Sequence, residues 1–102
     1  MIIRNLGELQ VLKVKTFTSQ TRCEHMVSLT DKRFKKRRTI AVDGYDPDYT
    51  ALKIGHRVCE KLGHTIVGYD RVSDREVYFF IYVEGTQHKK LLDNFEREMI
   101  YN

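Results

Sequence analysis

The chain has 102 residues, of which 41% are hydrophobic and 31% charged, with a net charge of +4, two cysteines and one proline. That composition suits a single domain over residues 1–102, and no apolar run approaches the roughly 20 residues a membrane-spanning helix needs, so no membrane span is expected. The opening residues Met1 to Glu8 are too short and too soon charged for a secretory signal, so a cytoplasmic location is expected, and Cys23 and Cys59 are expected as reduced buried thiols.

Residues 9–17 predict a first strand, with Leu9, Val11 and Phe17 on one face and Leu12 and Val14 on the other. The polar connector Thr18-Ser19-Gln20-Thr21 leads to a second strand over 22–30, and a third follows over 33–43. A turn at Asp31-Lys32 would pair Leu29 with Phe34, Val27 with Lys36 and Cys23 with Ile40. It would also leave basic side chains on both faces of one strand, so a β-hairpin near 26–38 is expected to project beyond the core.

Asp46, Pro47 and Asp48 carry the marks of a helix start: an N-cap, a first-turn proline and an acidic residue at the positive end of the dipole. Ala51, Leu52, Gly55, Val58, Cys59 and Leu62 form one apolar stripe, and Gly63 suits a left-handed helix end. Gly55 lowers helix propensity by roughly 1 kcal/mol relative to Ala, which a close approach of helix to sheet would offset. Two more strands are expected over 65–72 and 76–84, joined at Ser73-Asp74. A final helix is expected from about residue 87, where Leu91, Leu92, Phe95 and Met99 recur at helical spacing. The expected fold is α+β in the order βββαββα: a mostly antiparallel five-stranded sheet against one long central helix plus a C-terminal helix. Residues 9–63, three strands then a helix, are similar in layout to the three-stranded-sheet DNA-binding modules of integrases, with no shared motif.

The strongest functional signal is the run from Lys32 to Arg38, in which Lys32, Arg33, Lys35, Lys36, Arg37 and Arg38 place six positive charges in seven residues. The rest of the chain holds 12 Lys and Arg against 14 Asp and Glu, a net charge of −2. A concentrated patch on a near-neutral protein is an address for a polyanion. Nucleic acid, DNA or RNA, is the leading partner, since two strands can follow phosphates or enter a major groove. The alternative is an inhibitor or adaptor docking the same hairpin on an acidic protein surface. A solvated edge strand is the plainer account, although edge protection normally needs fewer charges.

Tyr78, Phe80 and Tyr82 alternate along the last strand as a second candidate, able to stack unpaired bases or to form a homodimer interface. Cover by the C-terminal helix is the expected arrangement. Cys23, His25, His56, Cys59 and His64 are too loosely spaced to predict a metal site. Asp43, Asp46 and Asp48 cluster near the helix start, yet capping accounts for two of them, and His88 belongs to an exposed first turn of the last helix. No nucleophile elbow, Ser-His-Asp order or phosphate-cradling glycine loop is present, so neither enzyme activity nor a cofactor is expected.

Overall fold

The 13-residue strand β1, Gly7–Ser19, is the spine of the sheet, paired along both of its edges. The computed structural model describes residues 7–21, 24–42, 50–84 and 91–100. Within them lie β2 (Glu24–Asp31), β3 (Lys36–Val42), helix α1 (Ala51–Leu62), β4 (Thr65–Ser73) and β5 (Glu76–Glu84), followed by a 3₁₀ turn at Arg97–Ile100. The strands form one sheet in the order β3-β2-β1-β5-β4, and every pairing is antiparallel. The architecture is α+β.

Side chains alternate across a strand, so the pairing sorts residues onto two faces. Leu12 and Val14 of β1, Val27 and Leu29 of β2, and Val77, Phe79, Ile81 and Val83 of β5 share the core face and are buried. Helix α1 covers them with Ala51, Ile54, Gly55, Val58 and Cys59. Gly55 allows the close approach: a Cβ there would lie 2.0 Å from Cε2 of Phe79. Thr50 caps the helix, its Oγ1 accepting the Lys53 N–H at 3.3 Å. Gly63 ends it at φ 76°, with the His64 N–H donating to the Cys59 carbonyl at 2.8 Å.

Two expectations about helices are corrected. The central helix is 12 residues long and starts after Thr50, while Asp46, Pro47 and Asp48 lie outside the described residues. The C-terminal helix is replaced by a turn over 91–94 and the 3₁₀ turn. The cause lies in what the backbone of Leu91 is bonded to: its N–H donates to Asp31 Oδ2 at 3.1 Å, and its carbonyl accepts from His64 Nε2 at 2.8 Å. The Phe95 N–H turns instead to the Leu92 carbonyl at 3.2 Å, and the Met99 N–H to the Glu96 carbonyl at 3.0 Å, the tighter three-residue winding.

The β2–β3 hairpin also differs in register. Val27 pairs with Ile40 and Leu29 with Arg38, four residues further along β3 than expected, and the connection is the four-residue turn 32–35. Pairing Val27 with Ile40 sets apolar against apolar over the core, in place of the Val27–Lys36 pair of the shorter turn.

Segment 91–100 packs on the same face as α1. Leu91, Leu92, Phe95 and Ile100 join the core cluster, and Arg57 Nη1 donates to the Ile100 carbonyl at 3.1 Å. The opposite face, with Tyr78, Phe80 and Tyr82, is therefore not covered by that segment as the sequence led one to expect.

Candidate functional site

Asp31 organises the basic turn. Its carboxylate is fully buried, and Oδ1 accepts the N–H groups of Arg33 at 3.0 Å and Phe34 at 3.3 Å, an Asx-type turn. The Lys32 N–H donates to the Val11 carbonyl of β1 at 3.0 Å, and Lys35 closes the turn in the left-handed region at φ 55°. Four residues of turn thus pass from an inner strand to the sheet edge with their backbone anchored and their charges outward.

Lys32, Arg33, Lys35, Lys36, Arg37 and Arg38 are all exposed. The first three ride on the turn and the last three on β3, an edge strand of the sheet. The Arg33 guanidinium lies 5.4 Å from the Phe34 ring centroid, and that of Arg38 lies 5.5 Å from the ring of Phe95. Aromatic faces hold these planar cations in place without neutralising them.

The open face carries the other candidate residues. Tyr82 is 37% exposed, while Tyr78 and Phe80 are half-buried. Beside them on β1 stand Leu9, 61% exposed, and Val11 and Lys13. The Lys13 ammonium is 5.8 Å from the Tyr78 ring centroid, and the Tyr78 hydroxyl donates to Glu76 Oε2 at 3.2 Å. Sequence reasoning passed over Lys13 and Lys15, although continuing the alternation from Leu9 and Val11 places them on this face. Asp31 was also missed, because a single acidic residue in a turn does not signal burial.

The histidines and cysteines do not converge. His56 makes edge contacts with Phe79 at 5.3 Å and Tyr69 at 6.1 Å between centroids, and His64 is bonded to Leu91. Cys59 is buried in the core, and desolvation pushes its thiol from 9.0 up to about 12. Cys23, Asp43 and His88 lie outside the described residues. Among the described residues, no group of three His, Cys, Asp or Glu is placed to hold a metal ion, and no helix is long and apolar enough to cross a membrane.

No protein-family model matches the chain, and no curated protein or solved structure is significantly similar to it.

Proposed function

We propose that this is a small, non-enzymatic nucleic-acid-binding protein that contacts phosphates through its basic turn and edge strand. The observation that carries the reading is that six cations occupy one anchored turn and one sheet edge, all exposed to solvent. Packing does not account for so many like charges in one place, whereas a polyanion would relieve their mutual repulsion. Contacts of this kind set affinity and orientation more than sequence choice.

Fluorescence anisotropy with labelled DNA over a range of salt concentrations tests the reading. Neutralising roughly four to six phosphates gives a slope of log K against log salt of about −4 to −5 on duplex DNA. A variant with Lys32→Gln, Lys35→Asn, Lys36→Gln and Arg37→Gln keeps Arg33 and Arg38 beside their rings, and asparagine tolerates the left-handed position. Its slope is expected to fall to about −2 or shallower. A flat salt response in the native protein refutes the proposal and directs attention to an acidic protein surface as the partner of the same six residues.

A further inference from the structure

We infer that the open face of the sheet is a platform for single-stranded nucleic acid, with bases on Tyr78, Phe80 and Tyr82 and the phosphate backbone on the side of Lys13, Arg37 and Lys32. This rests on the polyanion reading of the basic edge and adds the form of nucleic acid that the protein takes.

Strand pairing sets part of the basic edge on the same face as the rings: Arg37 lies on it, while Lys36 and Arg38 pair with the core-face residues Asp31 and Leu29. One lateral row runs Asp70, Tyr78, Lys13, Thr30, Arg37 across all five strands. With about 4.8 Å between strands, Arg37 of the basic edge stands roughly 14 Å from Tyr78 on the same face. The next row runs Gly68, Phe80, Val11, and the Val11 carbonyl is the group that anchors Lys32. The basic turn therefore begins about two strand spacings, ~10 Å, from Phe80. Along β5 the three rings repeat every second residue, about 6.7 Å apart.

Chemistry on the face is divided in the way a single strand requires. At the Tyr82 end the neighbours are apolar or small: Leu9, Val11, Thr65 and Gly68. Gly68 leaves the β4 flank of the Phe80 ring bare, since a Cβ there would come within 3.8 Å of Cδ2. Carboxylates gather at the Tyr78 end, where Asp70 lies opposite Tyr78, and Glu76 lies opposite Lys15 and accepts from the Tyr78 hydroxyl. They disfavour phosphate on the β4 flank and leave it the β1–β3 side, where Lys13 and Arg37 stand. A duplex keeps its base faces stacked inside, so only an unpaired strand can use the rings.

The test compares a labelled mixed-sequence single strand with the same strand annealed to its complement, read by anisotropy. The native protein is expected to prefer the single strand and to lose tyrosine emission on binding, a clean signal because the chain has no tryptophan. Tyr82→Ala is expected to weaken single-strand binding about 5- to 150-fold with little effect on the duplex. Gly68→Ala adds a Cβ at ordinary contact distance from Phe80, so the fold accommodates it, and it is expected to weaken single-strand binding in the same direction. If both variants melt like the native protein and bind the single strand equally well, the platform is wrong. Should the basic-turn variant alone lose binding, the phosphate reading survives without the platform, and if the native protein binds neither form, both fall. A native dimer in sedimentation that Tyr82→Ala dissolves, with strand binding intact, also overturns the platform by assigning the face to a second copy.

Discussion

Replacing Gly55 with alanine sets two opposing effects against each other. Helix propensity favours the change by about 1 kcal/mol. Packing opposes it, because the new Cβ would lie 2.0, 2.4 and 2.9 Å from three atoms of the Phe79 ring, far inside contact distance. The ring cannot turn aside freely: it is fully buried, with His56 edge-on at 5.3 Å and Tyr69 at 6.1 Å. The helix must therefore lift, drawing Ile54, Val58 and Cys59 away from the sheet. Overpacking costs about 1–3 kcal/mol, and an overlap this large belongs at the upper end, so the net loss is about 2 kcal/mol. For a domain of this size, thermal unfolding followed by circular dichroism should show Tm falling by about 8–16 °C. Phe79→Leu added to Gly55→Ala shortens the obstructing ring, so the double variant should be more stable than the summed single effects by at least ~1 kcal/mol. A melting temperature equal to or above that of the native protein would refute the packing argument.

Asp31→Ala removes the acceptor of three N–H groups, those of Arg33, Phe34 and Leu91, and is expected to cost about 2–4 kcal/mol. Hydrogen exchange should show the Leu91 amide losing protection, and a Leu91 amide that stays protected rules out the anchoring role. Burial of Cys59 makes a pH prediction. The folded thiol keeps its proton up to about 12, whereas the unfolded one loses it near 9.0, so the folded state binds more protons between those values and stability falls as pH rises. Urea denaturation at pH 8 and pH 10 should show the difference in stability between native protein and Cys59→Ala shifting against the native protein by about 1.4 kcal/mol. An unchanged difference would contradict the proposed desolvation of the thiol.

Local patterns made some of this fold legible and tertiary bonds hid the rest. Strand β5 spans the predicted 76–84 because its alternation of aliphatic and aromatic residues has one consistent reading. Gly63 ends α1 as its position in the sequence implies, and the close contact at Gly55 is the one its unfavourable propensity suggested. Leu91, Leu92, Phe95 and Met99 misled because their spacing reports which side chains are apolar. It does not report that Asp31 and His64 capture the backbone of Leu91. The same carboxylate accounts for the missed hairpin register: by holding the N–H groups of Arg33 and Phe34, it favours a longer turn than Asp31-Lys32. The six basic residues were visible as a run of charge. That Arg37 shares a face with Tyr78, Phe80 and Tyr82 was not, since it depends on β5 pairing with β1 and on the register of the β2–β3 hairpin.

The central position of β1 also decides when the sheet can be completed. Its partner on one side, β2, follows after a short connection, but its partner on the other side, β5, lies more than 60 residues away in sequence. The β1–β2–β3 meander joins near neighbours, while closing β5 onto β1 must bring together residues far apart in sequence, at a larger entropic cost. Until that closure, the middle strand of the final sheet is itself an edge, and Leu12 and Val14 lack Phe79 and Val77 opposite them. During synthesis β1 to β3 emerge before α1, which covers their apolar face, and well before β5, which completes the sheet, so β1 stays an unpaired edge through the synthesis of α1 and β4.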